Sequence, residues 1–78
     1  MTNSWLIFDD IGHARGACDV YEHNGEYRSH VGYIERDAET GRYFSIVFGK
    51  TVLPVLADSA REARNQFQAE YYGRLSRI

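Results

Sequence analysis

The dipeptide Asn24-Gly25, inside VYEHNGEYRSHVGY, constrains the fold more than any other feature of the chain. A two-residue type I′ turn needs positive φ at both central positions, and Asn followed by Gly tolerates this well. The pair therefore predicts a tight hairpin and a register. On one side His23 faces Glu26, Tyr21 faces Arg28, Asp19 faces His30 and Ala17 faces Gly32. On the other Glu22 faces Tyr27, Val20 faces Ser29, Cys18 faces Val31 and Gly16 faces Tyr33. One face then gathers complementary polar pairs, and the other gathers Cys18, Val20, Val31 and Tyr33. A slip of one residue would move the apolar set into water.

The segment RDAETGR, 36–42, reads as a second turn with Gly41 at a left-handed or bulge position. A four-residue loop at 37–40 sets Phe44 opposite Tyr33 and Ile46 opposite Val31. Phe44, Ile46 and Phe48 then join the apolar face, whereas a five-residue loop reverses them. Gly49-Lys50 marks a third turn and TVLPVLA a fourth strand. Pro54 cannot donate a ladder hydrogen bond, which places that strand at an edge. Trp5 to Phe8 reads as an extra short strand or as a plug at the open end of the core, and 9–15 reads as a loop. Ser59-Ala60-Arg61-Glu62 is a capping box that opens a helix over about 59–76. Ala60, Ala63, Phe67, Tyr71, Leu75 and Ile78 form its apolar stripe, and Glu70 and Arg74 make an i,i+4 pair. The expected fold is α+β: a four-stranded antiparallel β-meander with one C-terminal α-helix on the Cys18/Val31/Ile46 face. A short N-terminal strand is the optional addition.

Seventy-eight residues, 44% hydrophobic and 26% charged, suit one folded domain spanning 1–78. Cys18 is the only cysteine, so no disulfide can form within the chain, which fits a reducing compartment. The opening MTNSWLIFDD has no basic n-region, and its apolar run is too short for a signal core or a membrane span. A cytoplasmic protein is expected. The net charge of −2 counts against duplex binding, since such proteins usually show a strongly basic face. Eight arginines stand against one lysine, Lys50. Arg and Tyr are enriched in protein contacts and Lys is depleted, although genomic GC bias gives the same ratio.

The arrangement offers no catalytic set. His23 and His30 share a face two pair-rows apart, on the order of 13 Å, too far to share an ion. His30 beside Asp19 supplies two ligands where zinc needs three or four. Cys18 points to the apolar face and His30 away from it, so they cannot act as a nucleophile and base. Asp9, Asp10 and the acidic loop Glu35, Asp37 and Glu39 lie in predicted loops without a dry concave scaffold. Gly12-x-x-x-Gly16 lacks a following Lys-Ser or Lys-Thr. No metal, no cofactor and no enzymatic activity are expected.

One helix covers one side of a sheet. The other side then carries Asp19, Tyr21, His23, Arg28, His30, Ile34, Tyr43, Val47, Val52 and Leu56. Of these, Tyr21, Arg28, His30, Tyr43, Val47, Val52 and Leu56 form the candidate partner or dimer face. Tyrosines on a sheet can stack single-stranded bases. Yet there is no RNP-like run with flanking basic residues, and Asp19 and Glu26 sit in the patch. Mixed Tyr, Arg and aliphatic composition fits a protein partner or a second copy of the chain better.

In size, acidic balance, lack of catalytic motifs and meander-plus-helix plan, from SWLIF to SAREARNQFQAEYYGRL, the chain resembles the small phage-encoded anti-CRISPR proteins. The resemblance covers the whole chain in plan and rests on no diagnostic motif, in a family that shares no single fold. It implies binding to subunits of a type I CRISPR surveillance complex, inside the host bacterium, so that target DNA is kept out. A cellular nucleic-acid-binding or regulatory module using the same open face is the competing reading.

Overall fold

The computed structural model describes residues 4–13, 15–49, 51–53 and 55–75. They form five strands and one helix: β1 Trp5–Asp9, β2 Cys18–His23, β3 Arg28–Arg36, β4 Tyr43–Val47, β5 Thr51–Val52 and α1 Ala60–Leu75. The strands make one antiparallel sheet in the order β1-β2-β3-β4-β5, and α1 packs on one of its faces, chiefly against β4. This is the expected α+β meander with its C-terminal helix. Trp5 to Phe8 lies within an edge strand that pairs with β2, so it is a strand and not a plug.

The first hairpin closes one residue later than Asn24-Gly25 predicts. Asn24 N–H donates to the Tyr27 carbonyl at 3.2 Å, and its side-chain oxygen accepts from the N–H groups of Glu26 and Tyr27, both at 3.2 Å. Gly25 and Glu26 thus occupy the loop, Gly25 with a positive φ of 96°. The Asn24 side chain mimics a backbone acceptor, and that use draws Asn24 out of the turn centre. His23 now pairs with Arg28 and Tyr21 with His30. The shift is two in the pairing sum, so Tyr21, His23, Arg28 and His30 keep their expected face.

A bulge then changes everything after it. Tyr21 pairs with His30 but Val20 pairs with Gly32, leaving Val31 as an extra residue on β3. Val31 still leans on the core, and its carbonyl accepts from Phe48 N–H at 3.0 Å. Beyond it the side-chain alternation is inverted relative to β2. Cys18 now lies opposite Ile34, and Tyr33 lies opposite Asp19 on the bare face. The second turn is four residues long as expected, but it sits one residue later, with Asp37 N–H bonded to the Arg42 carbonyl at 2.7 Å. Phe44 and Ile46 share Tyr33's face as the loop length requires, so they too point away from the helix. Ile34 and Val47, expected outside, are 0% and 1% exposed.

The core consists of Cys18, Val20, Ile34, Val47, Ala57, Ala63 and Phe67, flanked by Leu6, Phe8, Val31, Tyr43 and Tyr71. Phe67 fills its centre. It lies directly over Gly32, where an added Cβ would come within 2.6 Å of the Phe67 ring. Gly32 is therefore the socket that lets helix and sheet approach. Ser45, fully buried, donates to the Ala63 carbonyl at 3.1 Å and ties β4 to the helix. Burial holds the Cys18 thiol above its usual pKa, with Arg64 pulling the other way. An unreactive thiol follows.

Ser59 Oγ accepts from Glu62 N–H at 3.1 Å, as a cap should. Glu62 reaches back to Asp58 N–H at 3.3 Å, one residue earlier than a capping box requires. Ala63, Phe67 and Tyr71 of the stripe face the sheet. The Leu75 and Arg74 side chains and all of Ile78 lie outside the described residues, and the Glu70–Arg74 pair with them. The fourth strand shortens to Thr51–Val52 at the sheet edge, with a single further bridge between Tyr43 and Ala57. Lys50 and Pro54 lie outside the described residues. No described helix is long and apolar enough to cross a membrane.

Candidate functional site

The face of the sheet away from the helix carries a linked array of rings. Arg28 lies over the Tyr21 ring at 4.7 Å, and Tyr21 stacks on His30 with centroids 4.9 Å apart. His30 meets the Phe48 ring edge-on at 4.9 Å, and Phe48 leans on Tyr33 at 6.0 Å. Trp5 lies tilted against His23, centroids 4.8 Å apart, at the β1 edge. These contacts follow from the register. The Tyr21–His30 pair is directly cross-strand, and the bulge brings Tyr33 to the same side. Phe48, just past β4, is set beside them by its bond to Val31.

Asp19 sits within the array between two imidazoles. Its carboxylate oxygens lie 2.9 Å from His13 Nε2 and 3.1 Å from His30 Nε2. The hydrogen bond to His13 is the largest influence on Asp19 and lowers its carboxyl pKa, with His30 adding to the effect. The loop that carries His13 is thereby pinned to the sheet. Among the described residues no three His, Cys, Asp or Glu side chains are grouped as a metal site would need.

Phe48 is 45% exposed and Trp5 48%, large fractions for rings held in contact with neighbours. Around them Ile7, Tyr21, Tyr33, Phe44 and Ile46 are half-buried although no described strand or helix covers them. The rings shield one another in part, with Phe48 and Trp5 the most open to solvent. This is the form of a surface that can lose water to a partner.

Of the residues expected here, Tyr21, Arg28 and His30 stand together at the centre of the array. Val52 is on the same face, opposite Ile46, and is 62% exposed. Tyr43 and Val47 are not on it. Val47 is core, and Tyr43 packs against the core while its ring lies over Gly16. Both misplacements follow from the Val31 bulge. Leu56 is half-buried in the segment before the helix, and its carbonyl accepts from Arg42 at 2.9 Å. Glu35 lies at the far end of the bare face, opposite Phe44. Asp37 and Glu39 lie in the second turn, where Asp37 Oδ1 accepts from Glu39 N–H at 2.8 Å, so of the three acidic residues only Glu35 shares the face of the rings.

Tyr33, Phe44, Ile46, Phe48, Trp5 and His13 were not foreseen on this face. The alternation of Phe44, Ile46 and Phe48 does mark three residues that share one side. It cannot say which side. Compared with family models, with curated proteins and with solved structures, the chain matches none.

Proposed function

We propose that the protein is a non-catalytic binding module that docks a protein partner on the bare face of its sheet. The observation that carries this is the chain of contacts Arg28–Tyr21–His30–Phe48–Tyr33, partly exposed and left uncovered by α1. Tyr and Arg anchors at the centre of a contact often contribute 2 kcal/mol or more. Here they are already held in place by one another, so little side-chain freedom is lost on binding. Asp19 and Glu35 beside the rings disfavour a phosphate backbone and favour a partner with basic or neutral complement.

The finer reading follows the resemblance of size and plan. The partner is a subunit of a type I CRISPR surveillance complex in the bacterial cytoplasm, and occupancy of its surface keeps target DNA out. Inhibition is then stoichiometric. The same rings would carry any pairing of two copies.

The test is binding to a purified surveillance complex, with and without DNA, using Arg28→Glu and Phe48→Ser. Both variants stay folded and bind at least tenfold more weakly, and DNA entry is restored. Full affinity in both folded variants would remove the bare face as the working surface. A steep salt slope that flattens by about one on Arg28→Glu would instead identify a nucleic-acid partner.

A further inference from the structure

At the end of the sheet remote from Asn24 lies a polar cleft of about 600 Å³. It is lined by Arg15 and Gly16 from the loop before β2, Arg36 at the end of β3, Gly41 in the second turn, Tyr43 of β4, and Asp58, Ser59 and Ala60 at the helix start. It is separate from the ring array, and the reading of the bare face does not bear on it.

The arginines make this cleft unusual. Three other arginines have ring or ion-pair contacts: Arg28 over Tyr21, Arg64 over Phe8, although its buried Nε has no hydrogen-bond partner among the described residues, and Arg42 on Asp58 at 3.0 Å. Arg61 is exposed on the helix and does not line the cleft. Arg15 and Arg36 come from different elements to the same cavity, and neither forms an ion pair with a described residue. Arg36 is held over the second turn by donating from Nε to the Gly41 carbonyl at 3.4 Å, and its other donors have no hydrogen bond to a described residue. Gly41 makes room for it, since a Cβ there would come within 3.1 Å of the Arg36 terminal nitrogen. At Gly16, with φ of 86°, the missing side chain admits the Tyr43 ring and hydroxyl to the wall. The nearby acids are already engaged. Asp58 also lines the cleft; its Oδ1 is paired with Arg42 Nε while its side chain stays 80% exposed, and Asp37 Oδ1 is bonded to Glu39 N–H. The helix start is closed by its own residues, with Ser59 Oγ occupied by Glu62 N–H, so the helix end is not what draws a ligand here.

From the presence of both Arg15 and Arg36 in the lining of one cleft with Tyr43 in its wall, we propose that this cleft binds a phosphate group. Two planar guanidinium forks match a tetrahedral oxyanion, and a dianion neutralises both where a single carboxylate would not. The volume of about 600 Å³ falls within the range of small-molecule pockets. A small organic phosphate and free inorganic phosphate share this chemistry.

The test is amide chemical-shift titration of the full chain with inorganic phosphate, with glycerol 3-phosphate and with acetate, at constant ionic strength. The Gly16, Gly41 and Ser59 amides shift saturably with the two phosphates. The dissociation constant rises at least tenfold in Arg15→Gln and in Arg36→Gln, and stays within twofold in Arg61→Gln. Arg15 lies in an exposed loop, so its variant remains informative if Arg36→Gln perturbs β3. Tighter binding of glycerol 3-phosphate identifies an organic phosphate, and tighter binding of inorganic phosphate identifies the free ion. Absence of saturable shifts at tens of millimolar, an equal loss in Arg61→Gln, or acetate binding as tightly as phosphate overturns the proposal.

Discussion

The two faces of this sheet are both rich in rings and branched side chains, yet they are built on different terms. Under the helix, Phe67, Ile34, Val20 and Val47 are sealed from water and bound to one another by shape, with Gly32 cut away to admit the Phe67 ring. On the other face Tyr21 stacks on His30, His30 meets Phe48 edge-on and Phe48 leans on Tyr33, with Phe48 still 45% exposed. The covered face gains from removal of apolar area and from close packing, which fall steeply if one group is deleted. The open face gains little from its own contacts and keeps its apolar area for another molecule. A domain this small needs the first face to fold, and can spare the second.

The comparison breaks first at Phe67. Phe67→Ala is expected to cost about 3–5 kcal/mol in chemical denaturation, enough to unfold most of the population. Phe48→Ala, a deletion of the same ring on the open face, is expected to cost no more than about 1 kcal/mol. Equal costs would mean that the two faces are not distinct in energy.

Gly32→Ala comes next. The new methyl would press on the Phe67 ring and on the β4 backbone, and overpacking of this kind costs roughly 1–3 kcal/mol. Combining it with Phe67→Leu should recover part of the loss, because the flexible side chain can yield. Strict additivity of the two would show that Gly32 and Phe67 do not share the socket.

Tyr71 sharpens the boundary between the faces through pH. Partial burial and the 2.9 Å bond it donates to Glu22 push its phenol from near 10 up to about 12. A group whose pKa is raised on folding stabilises fully below its unfolded value and loses that contribution as pH climbs through its folded one. Stability should therefore fall between pH 10 and 12, and thermal midpoints of Tyr71→Phe should fall less across that window. Tyr72 and Cys18 are also raised, by burial, so part of the slope remains. Identical slopes in wild type and Tyr71→Phe would place the phenol in water.

The smallest stability change belongs to Arg28→Glu. Losing its place over the Tyr21 ring should cost under about 0.5 kcal/mol, since the site is exposed. A cost near that of Gly32→Ala would mean that the open face holds the fold together and is not spare surface.

What the sequence alone determined is local. The turn near Asn24-Gly25, the break at 36–42, the Ser59 cap and the Ala63/Phe67/Tyr71 stripe each depend on residues within a few positions of one another, and each is present in the fold. So is the placing of Tyr21, Arg28 and His30 opposite the helix, because they lie close to the turn that sets their register. The side on which Tyr33, Ile34, Phe44, Ile46 and Val47 lie depended on tertiary structure. Either alternation of β3 and β4 presents apolar residues: Tyr33, Phe44 and Ile46 on one side, Ile34, Tyr43 and Val47 on the other. The period of two thus marks neighbours on a face without saying which face is covered. The choice falls where Phe67 needs a glycine beneath it, and Gly32 meets that need only if it points inward beside Val20 and Val47. The extra residue at Val31 gives that alignment, and it turns Tyr33, Phe44 and Ile46 outward with it.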